Sequence, residues 1–194
     1  LGLDRPYLEQ LGSYLYNLVV KRDLGNSYVY KTPVAKLIAA RLPSTVKVGL
    51  MGVVLSVIIG IPLGVLAAVK QYSVLDYGAT FLSVILSAVP SFWLALMLIT
   101  IFSVNLHWLP VSGVGTWKHY VLPVISVAIG PIAMITRMTR SSMLEVIRQD
   151  YIRTARAKGL SEGNVIIHHV LQNGLIPVAT IVGMMIGISM TGAI

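Results

Sequence analysis

No cysteine occurs anywhere in the 194 residues, which excludes disulfides and thiolate-held metals. Acidic side chains are scarce too: seven Asp and Glu stand against fifteen Lys and Arg, for a formal net charge of +8. Asp, Glu, Lys, Arg and His are missing altogether from four runs, Val48 to Val69, Tyr77 to Leu106, Tyr120 to Thr136 and Val170 to Ile194. That absence argues against proton relays, ion-coupled carriers and intramembrane hydrolases, which generally place ionisable groups at depth. The chain also lacks a G-x-x-x-x-G-K-[ST] phosphate loop, so nucleotide hydrolysis by this chain is not expected. It shows no signal peptide.

What is present is apolar: 56% of residues are hydrophobic and 11% charged, in unbroken runs rather than alternation. At about 1.5 Å per residue, Val48 to Val69 reaches roughly 33 Å, enough to cross a hydrocarbon layer of about 30 Å. The four runs predict an all-α membrane protein with spans at about 46–69, 78–105, 120–140 and 170–194. The third run is short, and Arg137 and Arg140 extend it by running their stems along lipid to the interface. The chain begins at Leu1 rather than Met and ends inside an apolar run, so a longer polypeptide is expected.

Four spans set residues 1–47 and the loop around His107 to His119 on one face, and the stretches 70–76 and 137–169 on the other. Lys and Arg number eight on the first face and seven on the second, so basic-residue bias does not choose the cytoplasmic side. The net positive charge suits anionic lipid; no nucleic-acid reader motif or stacking array accompanies it, and nucleic acid is not an expected partner.

Ahead of the first span, Leu8, Leu11, Leu15, Leu18 and Val19 fall on one face of a helix over 5–20, with Asp4 before Arg5-Pro6 as its start signal. Asp23 to Ser27 breaks the pattern. Thr32-Pro33 then opens a short second helix, Val34 to Arg41, leading through Pro43 into the first span.

Gly60-x-x-x-Gly64 and Gly183-x-x-x-Gly187 permit close helix approach, within the chain or in a dimer. In Ser87-Ala88-Val89-Pro90-Ser91-Phe92-Trp93 a mid-run proline between serines frees carbonyls. Ser87, Pro90, Ser91, Phe92 and Trp93 therefore form a candidate translocation path, with a packed kink as the alternative. His168 and His169 are adjacent and point about 100° apart on a helix, so no metal site is expected there. His107 and His119 flank Trp108 and Trp117 at a span boundary, the usual place of interfacial anchors. No catalytic constellation is found.

The loop over about 141–169 is the most informative segment. Met143, Ile147, Tyr151 and Ala155 recur every four residues, as on an amphipathic helix, with Glu145–Arg148 and Asp150–Arg153 spaced to pair at i, i+3. Gly159 after Lys158 reads as a helix stop and Ser161 as the cap of a second helix. A helix, a glycine elbow and another helix follow. This suits a docking element, or a solvated basic loop.

The run Arg153-Thr154-Ala155-Arg156-Ala157-Lys158-Gly159-Leu160-Ser161, followed by Asn173-Gly174-Leu175-Ile176-Pro177, resembles the cytoplasmic loop of binding-protein-dependent ABC importer permeases. Within that family it is most similar to the dipeptide, oligopeptide and nickel branch. Against the general pattern E-A-A-x3-G-x9-I-x-L-P the chain keeps Ala155, Gly159 and Leu171. It has Arg153, Thr154, His169 and Gln172 elsewhere, departures that resemble the peptide branch. Leu1-Gly2-Leu3-Asp4-Arg5-Pro6, Asp23-Leu24-Gly25-Asn26-Ser27, Arg41-Leu42-Pro43-Ser44-Thr45, Gly60-Ile61-Pro62-Leu63-Gly64 and Pro90-Ser91-Phe92-Trp93 agree with that branch, so the likeness covers nearly the whole chain.

The resemblance implies a MetI-like bundle of the type I importer kind, about six spans in the full protein, with one before Leu1 and one after Ile194. It implies an extracytoplasmic segment at 1–43 and a transmembrane domain at 44–194 in a bacterial plasma membrane. The implied partners are a second permease subunit, two cytoplasmic ATPases that bind ATP and magnesium, and an external substrate-binding protein; no cofactor binds the permease itself. Arg153, Thr154, Ala155, Arg156, Ala157, Lys158, Gly159, Leu160, Ser161 and Glu162 would form the ATPase-coupling loop, with Leu160 and Ala157 as apolar contacts and Arg156 and Lys158 as rim charges. The implied function is import of oligopeptides or dipeptides; a nickel importer of the same family, a channel and a structural anchor are the alternatives.

Overall fold

The computed structural model describes residues 6–189, and all regular structure in them is helical apart from an isolated bridge between Asn26 and Pro33. The elements are α1 (Tyr7–Val19), α2 (Val34–Val69), α3 (Val74–Ala88), α4 (Ser91–Leu98) continuing as a π-helix π1 (Ile99–Asn105), and α5 (Lys118–Ile147). After these come α6 (Asp150–Ala157), α7 (Glu162–Asn164), a second π-helix π2 (Val165–Leu171), α8 (Gln172–Gly174) and α9 (Ile176–Ser189). The chain divides into two compact units, Leu1–Ser44 and Thr45–Ile194.

In the first unit α1 starts after Pro6, whose carbonyl accepts from Glu9 and Gln10; the start signal at Asp4 lies outside the described residues. No residue of α1 is fully buried, and of its apolar stripe only Leu18 is partly covered. A tight loop follows. Asp23 Oδ1 accepts from the Gly25 amide at 2.8 Å, Gly25 takes φ +73°, and Ser27 and Thr32 close the loop at 2.9 Å. The short second helix does not exist as a separate element: α2 opens at Val34 and runs through Pro43 to Val69. Proline there removes one backbone donor, but helical hydrogen bonds on either side carry the chain past it.

In the second unit α2 presents a seam of small buried residues, Gly49, Gly52, Ser56, Gly60, Gly64 and Ala68. Gly52 lies against Val127, Gly60 against Ile135 and Gly64 against Thr139, a constant offset of 75 residues, so α2 and α5 run parallel with their backbones close. Lys47 Nζ over the Tyr120 ring at 4.4 Å adds a contact at the start of the same parallel pair. The Gly60/Gly64 pair thus packs within the chain. A Cβ at Gly64 would lie 2.5 Å from Thr139 Cβ and 2.6 Å from the Thr136 carbonyl, neither of which swings away cheaply. Gly64→Leu should therefore cost about 1–3 kcal/mol by overpacking. Gly78→Ala, on α3 with open space around it, should be neutral or stabilising by up to about 1 kcal/mol. Unfolding of the two variants in detergent checks the contrast.

Helices α2 and α5 are each long and apolar enough to cross a membrane; two bent pairs bring the number to four if each pair is one span. The run read as one span over 78–105 is such a pair, α3 and α4–π1 meeting at 95° across Val89-Pro90. The second pair, Glu162–Gly174 with Ile176–Ser189, bends by 46°; residues 190–194 of the last expected span lie outside the described residues.

Arg137 and Arg140 do not reach out along lipid. Arg140 makes a bidentate ion pair with Asp76 in the first turn of α3, Nη2 to Oδ2 at 2.8 Å and Nε to Oδ1. Arg137 Nη1 donates to the Ser83 carbonyl at 2.9 Å and to Ser87 Oγ at 3.4 Å. Both guanidiniums bind α3 to α5 because α3 packs antiparallel along that face, where a carboxylate and exposed carbonyls supply better acceptors than an interface.

Candidate functional site

The amphipathic pattern that joined Met143 to Ala155 is interrupted between α5 and α6. Helix α5 ends at Ile147, Gln149 is extended (φ −72°, ψ 148°), and α6 starts afresh at Asp150. Restarting rotates the faces, so Tyr151 is exposed and Ile152 is fully buried in its stead. Ile152 and Ala155 pack with Met143, Val165, Val170 and Ala68 in one cluster. At about 25 cal/mol per Å² of apolar surface, burying one such isoleucine contributes roughly 1.5–3 kcal/mol. Helix α6 is thereby fixed to the ends of α2 and α5 and to π2.

The other side of α6 is free of the cluster: Arg153, Thr154, Arg156, Ala157 and Lys158 are exposed. The helix ends in a Schellman motif. The Gly159 amide donates to the Arg156 carbonyl at 2.9 Å and the Leu160 amide to the Ala155 carbonyl at 3.4 Å, with Gly159 at φ +82°. Glycine takes this left-handed conformation without a Cβ penalty. Leu160, 40% exposed, sits just past the turn. Ser161 is extended and its carbonyl accepts from Val165 at 3.0 Å, but its hydroxyl makes no cap bond.

A bidentate pair that local pattern did not predict closes the elbow: Arg156 Nε to Glu162 Oε2 at 3.0 Å and Nη2 to Oε1 at 2.6 Å. Of the two i, i+3 pairs, Asp150–Arg153 forms at 3.7 Å and Glu145–Arg148 does not. Nine of the ten loop residues from Arg153 to Glu162 are exposed, while Ala155 is buried. The Arg156 guanidinium holds the Glu162 carboxyl below its ordinary value of 4.5, by hydrogen bonding first, against some desolvation. A depressed carboxylate stabilises the fold above its unfolded pKa and loses that contribution as pH falls through the folded one. Both side chains are more than a third exposed, so Arg156→Ala should cost well under about 1 kcal/mol, measured by unfolding at pH 7, and less still at pH 3.

The proline-flanked segment lies at a cavity of about 350 Å³. Ser87 and Ser91 line it, together with Gly49 and Gly52 of α2, Ser126 of α5 and Ser189 of α9. Pro90, Phe92 and Trp93 do not. Phe92 and Trp93 are 68% and 48% exposed, because the 95° turn at Pro90 swings the start of α4 so that only Ser91 and Leu94 face inward. The α2, α5 and α9 contributors are small or apolar and carry no sequence signature of a cavity wall.

His119 Nδ1 accepts from the Thr116 amide at 3.1 Å, tying the turn before α5; Trp108 and Trp117 are exposed at that end. His168 and His169 lie on π2, and among the described residues no group of three His, Asp or Glu side chains converges.

Comparison with known proteins adds to this geometry. The chain is 47% identical over 196 residues to the oligopeptide transport system permease protein AppB of Bacillus subtilis, covering 95% of this chain and 62% of that protein. A putative peptide transport system permease protein of Brucella suis is 41% identical over 202 residues, covering all of this chain and 64% of its own length. The dipeptide transport system permease protein DppB of Escherichia coli is 38% identical over 225 residues, covering all of this chain and 66% of its own. The chain thus spans a little under two thirds of the length of these relatives. The profile of the family described as binding-protein-dependent transport system inner membrane component matches residues 60–194, which include α6, the glycine elbow and most of the cavity wall, and the chain belongs to that family.

Proposed function

We propose that this chain is the transmembrane permease subunit of an ATP-driven importer that carries oligopeptides or dipeptides across the bacterial plasma membrane. The observation that carries the proposal is the elbow itself: a short helix anchored by Ile152 and Ala155, ending in a left-handed glycine, with a basic outer face and Leu160 offered to a partner. The partners are a second permease, two cytoplasmic ATPases that hold ATP and magnesium, and an external substrate-binding protein. Peptide is favoured over nickel because the permeases it resembles carry peptide names.

The mechanism is conformational. ATP binds the closed ATPase dimer better than the open one and so shifts it toward closure, and hydrolysis with release of the products resets the cycle and supplies its work. An ATPase groove holding residues 153–162 pulls on α6. The Ile152 cluster passes the movement to α5 and π2, and the Asp76 and Ser83 contacts of α5 pass it to α3, hence to Ser87 and Ser91 at the cavity.

The test is uptake by the full-length permease, reconstituted in liposomes with its partner permease, ATPases and binding protein, with labelled oligopeptide and nickel ion compared. ATP-dependent peptide accumulation supports the proposal, nickel accumulation replaces the substrate, and accumulation of neither removes it.

A further inference from the structure

Arg137 is a cation without a counterion among the described residues. Among the described residues the ion pairs are Asp76–Arg140, Asp150–Arg153 and Arg156–Glu162, and no carboxylate lies against Arg137. Its one engaged nitrogen, Nη1, donates to the Ser83 carbonyl and to Ser87 Oγ, and Ser87 lines the cavity. Arg137 is partly buried, its contact with Ser87 is exposed, and the guanidinium sits one hydroxyl away from the cavity, on the side of α5 toward the elbow. The rest of that wall is glycine, serine, proline and aliphatic side chains. Nothing in the cavity lining is charged, and Arg137 is a formal charge tied to that lining through Ser87.

A half-buried guanidinium gives up hydration that three or more idle N–H donors do not recover from neutral acceptors. Its planar fork matches a carboxylate bidentately, which Lys does not reproduce. The geometry points to Arg137 as an exit-side subsite that receives the terminal carboxylate of the transported peptide; this rests on the peptide-importer reading above. Ser87, which donates to the Val84 carbonyl at 2.9 Å, presents its oxygen to Arg137 and holds the guanidinium until substrate replaces that contact. Arg140, already neutralised by Asp76, does not compete for the anion.

These 194 residues hold no cysteine, so a thiol placed at position 87 can be followed on its own peptide. Ser87→Cys is introduced into the full-length permease within its assembled complex, and modification of that subunit by an anionic and by a cationic thiol reagent is followed by mass spectrometry. The anionic reagent should react faster, and adding Arg137→Gln should lower the anionic-to-cationic rate ratio on the order of tenfold. A purely structural arginine would change both rates in the same direction, and that result, or no reaction with either reagent, overturns the subsite. In a parallel arm without the cysteine, uptake of a labelled peptide with a free C-terminus should fall about tenfold in Arg137→Gln and be partly restored in Arg137→Lys. Unchanged uptake in Arg137→Gln overturns the carboxylate assignment. Absence of peptide uptake by the unsubstituted complex, with the charge preference at position 87 intact, instead overturns the peptide-importer reading and the carboxylate with it.

Discussion

Gly159→Pro is expected to leave the permease inserted in the membrane while lowering ATP-driven uptake on the order of a hundredfold, with ATP hydrolysis continuing. The residue stands at φ +82°, and proline is locked near −65°. The substitution also removes the amide that donates to the Arg156 carbonyl, and turning the chain displaces the Leu160 amide from Ala155. Both bonds of the Schellman motif go, and with them the approach of Glu162 to Arg156. A proline clash of about 3 kcal/mol or more corresponds to that hundredfold when a single productive geometry is required. Space is not the issue, since a Cβ at position 159 would meet nothing within 4 Å. Gly159→Ala should therefore be intermediate, losing about 1–2 kcal/mol for the left-handed backbone alone, and Gly159→Asn milder still. Insertion is spared because the elbow is separate from the uncharged runs. Uptake and hydrolysis are measured side by side in liposomes containing the whole complex; normal uptake in the proline variant would remove the coupling role from this loop.

The glycine elbow was legible because a lone Gly after a basic residue, at the end of an amphipathic stretch, has few other meanings. The packing of Gly60 and Gly64 was legible as close approach, though not which helix approaches: the partner residues Ile135 and Thr139 lie 75 positions away. The same limit hid the ion pair at Asp76. Arg140 and Asp76 are 64 residues apart, and each by itself reads as a polar residue at a span end. The restart at Gln149 was illegible for a different reason. No Gly or Pro marks it, so the four-residue period runs unbroken in the sequence from Met143 to Ala155, and the buried position is read as Tyr151 rather than Ile152. Pro90 reads as a break, but a break does not announce its direction; the 95° turn takes Phe92 and Trp93 off the cavity wall and leaves Ser87 and Ser91 on it. Pro43 is the opposite case, a proline that reads as a boundary where the helix continues.

Asp76→Ala should destabilise the permease by about 3 kcal/mol, the largest single-residue loss expected outside the elbow. The carboxylate is 1% exposed and holds three groups at once: both arms of the Arg140 guanidinium and the Tyr72 amide, which donates to Oδ2 at 3.0 Å. Its place in the first turn of α3, after the Ser73 cap, also sets negative charge at the positive end of the helix. Alanine leaves Arg140, itself only about a quarter exposed, with no anion to face. The loss is thus mainly the cost of an orphaned cation, not the worth of the pair. Asp76→Leu combined with Arg140→Met should then recover more than half of it, because both charges leave together. Unfolding of the solubilised protein separates the two variants by stability, and uptake at a temperature where both remain folded separates them by mechanism. If the α5–α3 clamp carries motion from the elbow to Ser87 and Ser91, the double variant regains stability without regaining transport. Equal recovery of both would confine the pair to holding the helices together.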